Sequence, residues 1–445
     1  MHFFSIPYNL KINFLSILLA LMPMSFIAGN MIININLVLI LITSLFFYGK
    51  KIFQFNYLLL DKLIIGYFLF IIFTGCFNYF LYDLENIHSF IVSPIKSILF
   101  LKYLALYLII RSLVSKRLIN LKLFFISSAI STIFVSLDIF YQFYNGKDIF
   151  GFETVGIGRK LSGPFGDELI AGGFIQRFSL FAFFLFPVFF SRYSNKVSKF
   201  LIPILFIIFL LGIILSGNRM PMLLFVLSIF LIIIFQKQTR KFLFPFILIF
   251  GIIFYILFNF NEQVRINFKN LNNHLKTTTA LILSGDYNYY KANSLSSTFY
   301  LREFSTFYET WLMNKYIGGG IKNFRFYCHH RPKTDKSIKF VCNMHPHNYY
   351  LEILTETGII GFGMISVIFL ILLYKTFYKR YFTNSSIESN NLIIPFIFLF
   401  FIEIFPIKST GSFFTTGNST YLFLIIGILV GLLTKDNIIK KRLNA

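Results

Sequence analysis

Charge is scarce in this chain. Asp, Glu, Lys and Arg make up 13% of its 445 residues, whereas 56% are hydrophobic, and the mean hydropathy is positive. That balance excludes a soluble globular protein, which has no use for so much apolar surface. Repeated apolar runs of about 18–20 residues can instead each span a bilayer. Acidic residues are scarcer still, 18 against 41 Lys and Arg, for a formal charge of +23. Such an excess points toward nucleic acid only if the cations cluster on a solvated face. Here they collect in short loops between apolar runs, as membrane-orientation signals do, so no nucleic-acid partner is expected. Only 3 residues are Cys. No internal repeat of the kind that marks many secondary transporters is present. The abundance of Phe, 63 residues, is in part what a codon-biased, AT-rich genome produces and carries no functional reading.

What is present reads as an all-α polytopic membrane protein with about twelve spans, near 11–28, 31–48, 61–82, 94–114, 120–144, 169–190, 199–216, 219–236, 241–260, 349–375, 391–406 and 418–434. With the N-terminus inside, Lys50 and Lys51, Lys116 and Arg117, Lys237 and Arg240, and Lys379 and Arg380 all fall in cytoplasmic gaps. The C-terminal tail adds Lys435, Lys440 and Lys441 on the same side. The opposite short gaps, 29–30, 83–93, 217–218 and 407–417, hold almost no Lys or Arg, which sets the orientation. The first span could pass for a signal peptide, but "FIAGN" is a poor cleavage site and a second span follows at once. The organisation is then residues 1–260 with nine spans, a large outer loop 261–348 between spans nine and ten, and 349–445 with the last three. Long loops are exempt from the charge rule, so the basic residues of 261–348 do not conflict with this topology.

Cys76 lies in an apolar span and reads as packing. Cys328 and Cys342 share the outer loop, where an oxidising compartment makes a disulfide plausible. Together with His345 and His347 they could also supply four metal ligands, but the spacing fits no familiar zinc pattern, and the expectation is no metal and no cofactor.

The stretch "NMHPHNYYLEILTETGIIGFG" runs from a polar cap into an apolar helix. Pro346 suits a first helical turn. At 3.6 spacing His347, Leu351, Leu354, Gly358 and Gly361 share a face, and the glycines allow close approach by a neighbouring helix. A helix N-terminus disfavours imidazolium, which leaves His347 able to accept a proton. A His that merely hydrogen-bonds at the interface is the bland alternative. "LSGNRMPML" places Arg219 in a short outer turn, against the orientation rule, so a specific anionic partner explains it better than lipid snorkelling does. In "STFYLREFSTFYETWLMNKYIGGGIKNF" the pattern is an amphipathic helix at the outer surface, with Arg302 at its start and a Gly318–Gly320 turn at its end. "RKLSGPFGDELIAGGFIQRFSL" contributes Glu168 and Arg177. Arg177 lies about two turns into its span, where a charge costs roughly 2.5–3.5 kcal/mol, and Asp138 is a candidate partner. Glu352 and Glu356 stand four apart on the tenth span, facing outer cations or acting as helix partners.

Topology alone therefore gathers Arg219, Arg302, His347 and Arg177 at one membrane face. Arg forks bind phosphate bidentately, and a neutral His can deprotonate a hydroxyl, which suits displacement of a diphosphate leaving group. No Asp-x-Asp cluster occurs in the outer loops, so a metal-free mechanism is the simpler expectation.

At these residues the chain resembles the O-antigen ligase and polymerase superfamily of bacterial envelope glycan enzymes. "HNYYLEILTETGIIG" resembles the His-Asn…Glu-x-Gly-x-x-Gly signature at the end of that family's large periplasmic loop. Ser216-Gly217-Asn218-Arg219 is similar to its Ser-x-Ser-Arg motif, with Asn218 in place of Ser. Arg302, Trp311 and "IGGGIKNF" resemble its Arg…Trp…Gly-x-Gly segment. The resemblance implies a glycosyltransferase of the bacterial inner membrane whose site faces the periplasm. It would move a glycan from an undecaprenyl diphosphate carrier to a hydroxyl acceptor, the lipid A core for a ligase or another lipid-linked glycan for a polymerase. By that likeness His347 would be the base and Arg219 and Arg302 would bind diphosphate, with Arg177, Asp138, Glu168, His345 and Glu356 in support. A transporter of an anionic lipid or glycan is the alternative from another class; the single outer loop and the motifs gathered on one face count against it.

Overall fold

The computed structural model describes residues 7–81, 92–153, 160–190, 194–284, 299–331, 342, 348–383, 391–406, 408 and 411–443. Among them the chain is helical, with no strand and one isolated bridge between Lys147 and Glu153. In chain order the helices are α1 (Tyr8–Ala20), α2 (Met22–Ala28), α3 (Asn30–Tyr48), α4 (Leu59–Leu81), α5 (Val92–Ser115), α6 (Leu121–Asn145), α7 (Ala171–Phe189), α8 (Ser194–Leu215) and α9 (Arg219–Phe235). They continue with α10 (Leu243–Phe260), α11 (Glu262–Ser284), α12 (Phe299–Met313), α13 (Tyr349–Leu373), α14 (Ile394–Glu403) and α15 (Thr416–Leu443), apart from short turns. Nine described helices are long and apolar enough to cross a membrane, and three shorter apolar ones cover Phe200–Leu215, Arg219–Phe235 and Asn391–Glu403.

The bundle is built around α15, of whose apolar window 78% is buried. Its "GILVG" brings Gly427 and Gly431 against α5. A Cβ on Gly431 would lie 2.9 Å from the Arg111 carbonyl and 2.7 Å from Val114 Cβ, so only glycine lets the two backbones meet there. At the other extreme α10 has 6% of its window buried and lies on the periphery. Helix α11, inside the segment read as outer loop, is longer than a short surface turn and packs against α10.

Buried charge is compensated within the bundle. Arg111 of α5 pairs with Asp61 of α4 at 2.9 Å, both side chains essentially inaccessible. Its guanidinium also covers the Phe55 ring and donates to the Asn56 carbonyl at 3.0 Å. Asp61 accepts a further hydrogen bond from Tyr107. Breaking one side of such a pair strands a charge in an apolar interior, which ties α4 to α5.

Helix α13 is not one continuous helix. Gly358 has φ 65° and ψ −172°, and the backbone breaks there. The freed groups are taken up by residues 315–320. Ile359 N–H donates to the Lys315 carbonyl at 2.9 Å and Ile360 N–H to that of Tyr316 at 3.2 Å. In return Gly319 and Gly320 N–H donate to the Thr355 and Glu356 carbonyls at 3.0 and 2.8 Å. Broken helices survive at membrane depth only where protein re-satisfies the backbone in this way. What approaches Gly358 is thus a turn and not the neighbouring helix expected from spacing. Gly361 does meet a helix, since a Cβ there would lie 3.1 Å from the Phe70 ring of α4.

Candidate functional site

The "SGNR" turn links α8 to α9. Gly217 takes φ 70°, Ser216 Oγ donates to the Ile213 carbonyl at 2.7 Å, and Asn218 Nδ2 donates to the Ser216 carbonyl at 3.0 Å. The turn sits on Gly172 of α7, where a Cβ would lie 2.6 Å from Ser216 Oγ. Arg219 follows as the first residue of α9. Lys160 packs across Gly217, whose added Cβ would touch Lys160 Cγ at 3.1 Å. Burial, and then the Arg219 charge, lower the pKa of the Lys160 ammonium below the ordinary lysine value. Among the described residues neither Lys160 nor Arg219 forms an ion pair.

These residues line a cavity of about 590 Å³ between the starts of α7, α9 and α15. Among the described residues its lining cations are Lys160, Arg177, Arg219 and Lys408, and its lining acid is Glu168.

Arg177 and Lys408 form the opposite wall through a buried network. Arg177 Nη2 and Nε reach Glu403 Oε1 and Oε2 at 2.8 and 3.2 Å, and Nη2 also donates to Asn418 Oδ1 at 2.6 Å. Lys408 Nζ lies 2.5 Å from Glu403 Oε1 and donates to the Tyr349 hydroxyl at 3.2 Å. Tyr349 in turn donates to Glu403 Oε1 at 2.7 Å. Burial pushes the Lys408 pKa down to about 7, against the pull of Glu403. The partner of Arg177 is therefore Glu403, not Asp138. The Asp138 carboxylate accepts from Ile149 N–H at 3.0 Å and serves the loop after α6. Depth along a helix put Asp138 near the right level, but helix rotation aims it elsewhere.

The same network holds the start of α13. Asn348 caps that helix by accepting from Tyr350 and Leu351 N–H at 2.9 and 3.2 Å, and its Nδ2 donates to the Pro406 carbonyl at 2.8 Å. One turn on, buried Glu352 accepts from Ser412 Oγ and Phe413 N–H, both at 2.5 Å, and faces Lys322 Nζ at 3.7 Å. Glu356 is buried against the backbone of Lys322 and Phe324 and so lies behind the glycine turn, away from the cavity lining.

Cys328 and Cys342 are joined by a disulfide, with Cα atoms 5.8 Å apart. Arg331 donates to the Cys328 carbonyl at 2.6 Å and pairs with Glu309 of α12 at 3.5 Å. Phe307 of α12 stacks on Phe324 with centroids 3.6 Å apart. The bonded pair is thereby attached to α12. Arg302 belongs to α12, but its side chain lies outside what the structure describes, as do His345 and His347 entirely. Among the described residues no three His, Cys, Asp or Glu side chains converge as a metal site would require.

Of the residues picked from sequence, the structure brings Arg177, Arg219 and Glu168 to one cavity. Lys160, Lys408, Glu403 and Asn418 were missed. Lys408 carried a usable signal, a cation in a short gap that orientation should keep clear of cations. Glu403 carried another, a single acid at the end of an otherwise apolar run.

A multi-pass helical bundle with a cationic cavity at one end is the class that fold and site define. Within it the family model described as O-Antigen ligase matches residues 204–366. That stretch is a little over a third of the sequence and contains Arg219, Arg302, Cys328, Cys342, His345, His347 and Glu356. Lys160, Arg177, Glu403 and Lys408 lie outside it. No curated protein matches the chain.

Proposed function

We propose that this chain is an O-antigen ligase-like glycosyltransferase of the bacterial inner membrane. Its substrates are a glycan on undecaprenyl diphosphate and a hydroxyl of the lipid A core, and its site faces the periplasm. The observation that carries the reading is the pair of cations, Arg219 and Lys160, without an ion-pair partner among the described residues and lining a cavity formed partly by the family-matched segment. Two half-buried positive groups side by side repel one another, and an anion between them removes that cost.

In the proposed reaction the acceptor oxygen attacks the anomeric carbon. The bond from that carbon to the diphosphate oxygen breaks, and the diphosphate leaves with the electron pair. Arg219 and Arg302 stabilise the charge that develops on it. His347 takes the acceptor proton, a contribution of about 10²–10⁴-fold. Support for His347 comes from its neighbour Asn348, which the Pro406 carbonyl fixes beside the loop of Lys408. We assign the three shorter apolar helices as further spans. That gives twelve, with residues 261–348 as the large periplasmic loop and both ends of the chain cytoplasmic.

Expression in a host lacking its own O-antigen ligase, with the matching glycan pathway supplied, tests the reading on a lipopolysaccharide gel. Glycan newly joined to lipid A core is expected, and Arg219→Ala and His347→Ala should each lower it about 10²-fold or more. A length ladder formed only in a polymerase-deficient host would replace the ligase by a polymerase. An unimpaired His347→Ala protein would remove His347 as the base.

A further inference from the structure

Lys160 has no assigned role so far, and its setting is unlike that of an ordinary surface lysine. Its stem lies over Gly217, two residues before Arg219, and the two positive charges are close enough to repel one another. The two side chains come from different parts of the chain, the approach to α7 and the first residue of α9. The other two cavity cations already share Glu403, whereas among the described residues Lys160 and Arg219 form no ion pair with the lining acid Glu168 or with any other. The cavity also presents Gln176 of α7, buried to 3% exposure, whose amide nitrogen has no hydrogen-bond partner among the described residues. A buried donor without a partner is unfavourable, and an incoming phosphoryl oxygen would supply the missing acceptor.

We infer that Lys160 is a specificity-determining ligand that distinguishes a lipid diphosphate from a lipid monophosphate, with Arg219 taking one phosphoryl group, Lys160 the other, and Gln176 donating to the same anion. A monophosphate can satisfy one of the two cations; a diphosphate reaches both. This rests on the donor reading above and adds to it the means by which the site rejects monophosphate-linked carriers. The depressed proton affinity of Lys160 agrees with a site that is electrostatically incomplete until an anion arrives.

Purified full-length protein in detergent, titrated with undecaprenyl diphosphate and separately with undecaprenyl phosphate, provides the test. The wild type should favour the diphosphate by about tenfold or more, as a charge-assisted contact implies. Lys160→Gln should lose most of that margin while keeping its affinity for the monophosphate, and Lys160→Arg should restore it. Lys147→Gln, which removes an exposed charge from the same stretch of chain, should leave the margin intact. A Lys160→Gln protein with an undiminished margin overturns the inference and leaves the donor reading standing. So does a Lys160→Arg protein as poor as Lys160→Gln, because charge would then not be what Lys160 supplies. A wild type that binds both lipids equally, or neither, overturns the inference and the donor reading together.

Discussion

Arg177 and Glu403, 226 positions apart in sequence, meet side-on inside the bundle through two hydrogen bonds of 2.8 and 3.2 Å, with Lys408 on the same carboxylate at 2.5 Å. One anion therefore serves two cations. Neutralising Glu403 should hurt most, because Glu403→Gln leaves both cations uncompensated. Removing one partner of a buried pair typically costs about 3–5 kcal/mol. Lys408→Met should cost least of the three, since the Arg177–Glu403 pair that remains is neutral. Thermal unfolding of Glu403→Gln, Arg177→Met and Lys408→Met in one detergent gives the ordering, and a Lys408→Met protein less stable than Glu403→Gln would contradict it.

Lys408 also predicts a pH dependence. The folded protein holds this proton less tightly than the unfolded chain does, because burial outweighs the pull of Glu403 and sets the pKa at about 7. Between there and the ordinary lysine value of 10.5 the unfolded state carries the extra proton, so stability should rise with pH across that window. Below about 7 the charging cost is present in full. Melting temperatures of wild type and Lys408→Met across the window should diverge, with the variant lacking the rise; parallel curves would refute the assignment.

The interrupted helix makes two glycines indispensable and leaves a third free. Gly318 has φ 72°, and a Cβ there would lie 2.5 Å from the Thr357 nitrogen, so Gly318→Ala should cost about 2 kcal/mol or more. Gly358→Ala meets the Tyr316 carbonyl and should behave alike. Gly363 has nothing within 4 Å of an added Cβ, and Gly363→Ala should be neutral or stabilising by about 0.5–1 kcal/mol. Melting temperatures of the three alanine variants compare them directly.

The disulfide closes a sequence separation of 14, for which chain entropy gives about 3 kcal/mol of stabilisation. Cys342→Ser, or reduction, should release the segment between the cysteines to protease well before the helices are cut. Limited proteolysis with and without reductant measures this, and an unchanged cleavage pattern would argue against a stabilising role.

Much of the fold is legible in the sequence. Apolar runs announce spans directly, and α6 and α13 begin within a residue of where hydropathy placed them. Cations at the mouth of the site were legible for the same reason, since Arg219 and Arg177 stand where lipid or orientation should forbid them. Pairing was less legible. Whether Asp138 or Glu403 faces Arg177 depends on helix rotation and on which helices are neighbours, and neither leaves a trace in a single sequence. The break at Gly358 was hidden for a related reason: "TETGIIG" keeps a helical period on both sides of the glycine, and only the turn from Lys315 to Gly320 reveals why the helix stops there.

That turn also sets where the chain can tolerate changes of length. Its four hydrogen bonds pair residues 315 and 316 with 359 and 360, and 319 and 320 with 355 and 356. A residue inserted within the turn would keep one pair of contacts only by breaking the other, much as slipping a strand by one position turns its face away. Relatives free to lengthen other connections should hold the count from Lys315 to Gly320 fixed.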